Sequence, residues 1–476
     1  NTDWLKTLFG NSFTHEHSLS VNGGTDKIQY YLSANYLDQG GLLKFGDDSK
    51  QRYSFTAKIN ADLTKWLKIS YSMRFNRTDY EAPSFAGGDI KSNVFYFDVC
   101  RYWPVIPVVD PNGFYTVESK IYQLTEGGRY KSQKDVMAHQ LAFIVEPIKD
   151  WKINVELNYR SNYNFDHTDY QTVYGYDVSK NPYIIANQTS SVTEYAYKSN
   201  FFNPNIFTEY GKSLESGHNF KVMLGFQSEL FKQRDITASQ DGIMSEVATL
   251  NTTQTNAQNR GGYSEWATAG FFGRVNYDWK ERYLFTFSLR HEGSSRFGEN
   301  HKWGNFPAVS VGWRISDEKF MKGLSWIDDL KVRYDYGVTG NQEIGNYNSL
   351  ATYRAFGWYQ YNGNRFHVWG PSKNTNSELR WEKGHNQNVG LDFSLFSHKV
   401  TGSFNYFHRK QSDLLGDYSV PVPPNLFSTI YTNVGTLRNT GFELDVTVNA
   451  VRTKDFTYSF TLVGATNNNK FVSFSN

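Results

Sequence analysis

A single cysteine, Cys100, stands in 476 residues, which excludes an internal disulfide framework and any thiolate cluster for a metal. It sits in "FYFDVCRYWP", among bulky side chains, and reads as a lone packed thiol. No run of about 18 apolar residues is present, so no helix of this chain is expected to cross a membrane. Strands that cross need only about 9 to 11 residues each, so a membrane is not excluded. Charge of one sign is also lacking: 49 Lys+Arg against 47 Asp+Glu leave a formal net charge of +2. With no basic block, an electrostatic nucleic-acid binder is excluded. No GxxxxGK[ST] phosphate loop occurs, and no pair of carboxylates or Ser/His pairing is set out as a catalytic site, so no enzyme and no cofactor is expected.

What is abundant is aromatic residues, 17% of the chain, in a period of two. In "WKINVELNYR", Trp151, Ile153, Val155, Leu157 and Tyr159 fall on one face of a strand, and Lys152, Asn154, Glu156, Asn158 and Arg160 on the other. The same alternation returns in Ile28–Tyr36, Phe55–Leu63, Leu67–Phe75, Phe220–Phe226, Tyr283–Leu289, Val309–Ile315, Val389–Leu395 and Phe442–Val448. Counted this way the chain holds about sixteen strands, many of ten or more residues, too long for an ordinary sandwich.

Short connections alternate with long ones. "NGGTD" (22–26), "DLTKW" (62–66), "EPIKDW" (146–151), "LESGHN" (214–219), "DWKER" (278–282), "FSHK" (396–399) and "TKDF" (453–456) are short, and "SDEKFMKGLSWIDDL" (316–330) fits the same parity. Extended loops are expected over roughly 81–132, 166–190, 236–265, 341–384 and 413–435. Short turns at one end and long loops at the other mark an all-β fold, a transmembrane antiparallel β-barrel. In that fold Ile153, Val155 and Leu157 meet lipid, Trp151 lies at the interface, and Lys152, Glu156 and Arg160 face the lumen. The chain opens at Asn1 without a methionine or signal peptide and reads as an interior piece of a longer precursor, short of at least one strand at each end. Its tail "NNNKFVSFSN" shows no clear closing strand.

Several short motifs carry residue types that could do chemistry. "HEH" (His15–His17) lacks the i, i+4 spacing of a zinc site and reads as a solvated segment before a strand, so no metal site is expected. "DPNG" (Asp110–Gly113) reads as a turn rather than a calcium loop. "RHEGSSRFG" (Arg290–Gly298) reads as a rim turn, with Arg290 and Arg296 bonded to lumen carboxylates. "GGD" (Gly87–Asp89) and "GNQEIGNY" (Gly340–Tyr347) are loop punctuation. Two aromatic loops, "FYFDVCRYWPVIP" and "FGWYQYNGNRFHVWG", offer Tyr96, Trp103, Trp358, Tyr359, Tyr361 and Trp369 as substrate contacts. Aromatic faces stack on sugar rings or peptide side chains; an interfacial girdle or internal loop packing would use the same residues.

A family resemblance rests on residues 270 to 347. "GFFGRVNYDWKERY", "RHEGSSRFG", "WGNFPAVSVGWRISDEKF" and "YGVTGNQ", in this order and spacing, resemble the barrel of the SusC/RagA-like TonB-dependent transporters of the Bacteroidetes outer membrane. "HSLSVNGGTDKIQYYLSANYLDQGGLL", "LRWEKGHNQNVGLDFSLF" and "NVGTLRNTGFELDVTV" extend the likeness over nearly the whole chain. The resemblance implies a fragment, residues 1–476, of a barrel of roughly 22 strands, without the plug, the N-terminal extension or the final strands. It further implies import of an oligosaccharide, or in some members a peptide, with a SusD-like surface lipoprotein as lid and TonB acting through the missing N-terminal region. The competing classes are a secreted all-β glycan-binding protein and a soluble glycoside hydrolase. The first explains the aromatics but not the strand lengths, and the second would need two carboxylates across a cleft.

Overall fold

The computed structural model describes residues 1–86 and 94–474, so "GGD" at 87–89 lies outside the described residues. They divide into two compact units. One holds Asn1–Phe143, Glu156–Asn203 and Phe231–Glu265; the other holds Ile144–Val155, Pro204–Leu230 and Trp266–Asn476.

The long strands form one antiparallel sheet. In chain order they are β1 (Thr14–Gly24), β2 (Ile28–Gly40), β3 (Ser49–Asp62), β4 (Leu67–Pro83), β5 (Arg129–Ile148), β6 (Trp151–Tyr170), β7 (Ser191–Ser213) and β8 (His218–Asp241). They continue with β9 (Thr255–Trp279), β10 (Tyr283–Ser294), β11 (Trp303–Arg314), β12 (Ile327–Asn341), β13 (Glu382–Leu395), β14 (Val400–Ser412) and β15 (Gly435–Arg452). The last, β16, comes in two pieces, Thr457–Ala465 and Asn468–Phe474, both paired to β15 in one continuous register: Glu443 meets Ala465 and Thr440 meets Asn468. The tail therefore does carry a strand. Three asparagines at 467–469 erase the alternation there, and hydrogen bonds to β15 hold the piece in place instead.

The strand pairings keep like faces together. Val21 opposes Leu32, Leu32 opposes Ala57, and Ala57 opposes Met73, so one apolar face runs across β1 to β4. In the second unit Val275, Phe287, Val309 and Tyr336 form a cross-strand row, with Tyr336 opposing Gln387 beyond it. A slip of one residue would exchange both faces entirely, so the register is strongly specified. The apolar face also carries two aromatic belts. His218, Trp279, Tyr283 and Trp313 stack successively near the short turns, and His291 stacks on Trp303 at 4.8 Å and 6° toward the long loops. On β10 the belts are eight residues apart, about 26 Å of strand.

The long connections hold structure that the alternation did not disclose. The 81–132 segment contains helices Val94–Val99 and Ile121–Thr125. Small hairpins occupy Val173–Tyr176 with Pro182–Ala186, Tyr353–Tyr361 with Asn364–Pro371, and Leu415–Ser419 with Thr429–Asn433. The expected 236–265 loop is mostly strand, because β8 runs to Asp241 and β9 starts at Thr255. Beyond the apolar band both faces of a strand are polar, so alternation fades while the backbone ladder continues. "HEH" lies inside β1 rather than before it: His15 and His17 share a face, and Glu16 on the other accepts from Arg52 and Asn35. Cys100, just past the Val94–Val99 helix, is exposed rather than packed.

Candidate substrate-facing loops and polar sheet face

In the first unit the long-loop side is built around a small core. The helix Trp4–Leu8, capped by Asp3 accepting from Lys6 N, packs Trp4 and Leu8 against Leu43, Ala86, Phe95, Val99, Ile121 and Leu124. Tyr96 lies at the edge of this core, stacked on Phe9 at 6.0 Å, and burial pushes its phenol up to about 12. Trp103 has the opposite fate: its carbonyl accepts from Trp4 Nε1 at 3.0 Å while its ring is 71% exposed. "DPNG" is a turn, with Asp110 Oδ1 accepting from Asn112 N and Phe114 N.

Tyr102, also half-buried beside Trp4, is likewise pushed up to about 12 by burial. A phenol whose folded pKa exceeds its unfolded value stabilises fully below the unfolded value and is lost as pH rises through the folded one. Between pH 10 and 12 this loop core is therefore expected to open. Tyrosinate absorbance should develop with a lag relative to free tyrosine, and proteolysis within 94–125 should rise over the same interval. Ionisation of all tyrosines near pH 10 with an unchanged digest would contradict it.

In the second unit the rim turn "RHEGSSRFG" splits its two arginines. Arg290 bonds Glu292, with Nη2 to Oε1 at 3.0 Å, and reaches Gln227 Oε1 at 3.1 Å. Arg296 departs from expectation: it bonds Asn346 Oδ1 and the Gln342 carbonyl and lies 4.7 Å over the Trp266 ring, with no carboxylate in ion-pair contact among the described residues. Burial lowers its pKa, the mark of a cation used to staple loops. Lys373, its pKa also lowered by burial, donates to the Tyr347 carbonyl at 2.7 Å and Asn348 Oδ1 at 2.9 Å.

The hairpin Tyr353–Tyr361/Asn364–Pro371 stands above that rim. Trp358 pairs with His367, the rings 3.5 Å apart, and Tyr359 stacks on Phe366 at 5.5 Å. Trp358, Tyr359, Tyr361 and Trp369 are all more than half exposed. These four are thus brought together on one hairpin, whereas Tyr96 and Trp103 belong to the other unit.

The polar sheet face is a ladder of amides and compensated charges. Arg333 reaches Asp392 Oδ2 at 3.2 Å, Asp335 Oδ2 at 3.3 Å and the Asn405 side chain, while Ser310 donates to Asp335 at 2.5 Å. Beside this lies a recess of 630 Å³ lined by Asp335, Asn386, Asn388, Phe407, Arg409 and Glu443. Arg409 covers the Phe407 ring at 4.6 Å; neither Arg409 nor Glu443 has an ion-pair partner among the described residues. Sequence reading missed these two, which only the pairing of β13 to β15 assigns to one wall. Lys152 lines a second recess, of 660 Å³, with Glu209 and Lys221 joined at 2.9 Å. On the same strand, in the first unit, Arg160 lies 5.5 Å over Phe201, and Glu156 shares its face by alternation.

Residues 101–474 match the family described as TonB dependent receptor-like, beta-barrel. The chain is 28% identical over 505 residues to the TonB-dependent receptor SusC of Bacteroides thetaiotaomicron, covering 99% of this chain and 48% of that protein. It is 30% identical over 475 residues to a TonB-dependent receptor of Formosa agariphila, covering 96% of this chain and 42% of that one. The chain thus spans about half the length of these curated relatives. Its fold matches the RagAB peptide transporter structure with a TM-score of 0.82 at 24% identity, over 99% of this chain and 52% of that chain. With its long strands, alternating turns and loops and paired aromatic belts, the chain belongs to the TonB-dependent receptor-like β-barrel family of the outer membrane.

Proposed function

We propose that the chain is the barrel segment of an importer that takes up an oligosaccharide in a TonB-dependent manner beneath a SusD-like surface lipoprotein. The observation that carries the substrate class is the 353–371 hairpin, which holds Trp358, Tyr359, Tyr361 and Trp369 exposed among Gln360, Asn362 and Arg365. Aromatic faces paired with amide donors are what a sugar ring and its hydroxyls require. The polar sheet face is then the lumen wall, with Lys152, Glu156 and Arg160 on it, and the missing plug is the part that TonB would move. Family membership supports the importer, and likeness to SusC supports the lid.

A peptide is the second reading, favoured by Arg409 and Glu443. They are opposite charges with no ion-pair partner among the described residues, on one recess and about 14 Å apart by strand geometry, a spacing that suits the two charged termini of a short extended peptide. One related fold is that of a peptide transporter. In the full-length transporter, the double variant Trp358→Ala/Trp369→Ala is expected to weaken oligosaccharide binding about tenfold or more, with barrel assembly retained by heat-modifiable migration. Unchanged sugar affinity in an assembled double variant, with peptide uptake abolished by Arg409→Gln/Glu443→Gln, would replace the first reading by the second.

A further inference from the structure

On the apolar face of β6 to β9, in the first unit, lipid-type residues give way to charge within one turn of alternation. Tyr159 on β6 and Phe202 on β7 share that face and are each 40% exposed. Toward the long loops the same face carries Tyr163 and Lys198. The bond from Gly242 N to the Ser190 carbonyl, 2.7 Å, fixes the register of β7 on β8 and places Lys198 opposite Arg234. Lys198 Nζ lies 5.3 Å over the Tyr163 ring, and Arg234 lies 5.7 Å over the Tyr263 ring of β9. Four neighbouring strands thus present one straight row, Tyr163, Lys198, Arg234 and Tyr263.

Two cations directly opposite one another on a sheet repel and destabilise the pair. Lys232, two residues from Arg234 on the same face, has Glu265 at 3.6 Å. Among the described residues no carboxylate pairs with Lys198 or Arg234, and both are exposed. A like-charge pair clamped between two phenol rings is relieved by an anion bearing several oxygens, which both cations can reach beside the Tyr163 hydroxyl, while the Tyr263 hydroxyl donates to Glu265 at 2.5 Å. Its location selects the source. The row lies on the lipid side, beyond the Tyr159–Phe202 rung toward the long loops and flanked past it by exposed Phe165 and Ile236, at the level of outer-leaflet headgroups, where a solute passing through the lumen does not arrive.

We propose that Lys198, Arg234 and Lys232, framed by Tyr163 and Tyr263, form a binding site for the phosphorylated headgroup of an outer-leaflet glycolipid. Lipid bound there joins four strands from outside the barrel and converts a repulsive row into a bridged one. This goes beyond import and needs only the outer-membrane placement.

The test uses full-length transporter in phosphatidylcholine nanodiscs doped with diphosphorylated lipid A, read by native mass spectrometry. Wild type is expected to retain the lipid, and Lys198→Gln/Arg234→Gln to lose affinity about thirtyfold, at roughly one headgroup-level interaction for each cation removed. Folding of the variant is checked by heat-modifiable migration; should it not assemble, Arg234→Lys with Lys198→Gln gives the intermediate reading. Dephosphorylated lipid A should bind no better to wild type than to the variant. Equal retention by both proteins overturns the site, and displacement by millimolar inorganic phosphate as effective as by lipid A assigns it to a soluble anion and overturns the lipid assignment.

Discussion

Phe287→Arg is expected to lower the stability of the membrane-inserted barrel by about 2 to 4 kcal/mol, the cost of a cation on the lipid face near the midplane. Phe287 lies midway along β10 between Tyr283 in one aromatic belt and His291 in the other, opposes Val275 and Val309, and is 40% exposed. In water an arginine there would be harmless or favourable, since a charged side chain would replace an exposed ring. The sign of the effect therefore reports the solvent of that face. Ser288→Arg, the next residue on the opposite face, should change stability by no more than about 0.5 kcal/mol. Tyr283→Arg, at the belt, should cost only about 0 to 1 kcal/mol. Urea titration of the full-length protein refolded into phospholipid vesicles separates the three. Equal midpoints for Phe287→Arg and wild type would reverse the assignment of faces.

This contrast explains which parts of the molecule were legible from sequence. Where a strand lies between the belts, lipid on one face and water on the other force strict alternation, and β10, β11 and β13 can be read residue by residue. Above the belts water covers both faces. The upper parts of β8 and β9 then carry polar residues on both faces, and "ITASQD" reads as a loop although it continues the ladder. The same loss of contrast hid the second piece of β16.

Site residues divide along a similar line. Trp358, Tyr359, Tyr361 and Trp369 were visible as a cluster because a hairpin joins residues close in sequence. Tyr96 and Trp103 looked equivalent in one aromatic run, yet contact with Phe9 and Trp4, nearly a hundred residues away, half-buries one ring and leaves the other exposed. Arg409 with Glu443, and Lys198 with Arg234, are pairs made by cross-strand register, which alternation alone does not supply.

Trp381→Ala is expected to have the larger effect on the long-loop side. Trp381 is 4% exposed, immediately before β13, and its ring lies 5.1 Å from Phe297 and 5.2 Å from Phe306. Its Nε1 donates to the Lys302 carbonyl at 2.8 Å. Two glycines make the slot: a Cβ at Gly304 would come within 3.2 Å of the indole, and one at Gly340 within 2.9 Å. With Val338, Ile344 and Leu379 the cluster ties together the bases of the 295–302 and 342–381 connections. Truncation removes a large buried ring and leaves a cavity that backbone on neighbouring strands cannot fill, worth about 3 to 5 kcal/mol; the Lys302 carbonyl loses the indole donor but keeps the bond from Ser294 N at 3.0 Å. Because the strands below keep their own hydrogen bonds, the loss falls on local opening of the rim rather than on insertion. Limited proteolysis of the full-length protein should cut faster within 342–381 while heat-modifiable migration stays intact, and Trp381→Phe should lie between. The 353–371 hairpin hangs from this base, so the variant should also lose substrate affinity without any change to Trp358 or Trp369. A digest unchanged from wild type would mean that the rim is held by Arg296 and Lys373 alone, and that the aromatic hairpin does not depend on the core beneath it.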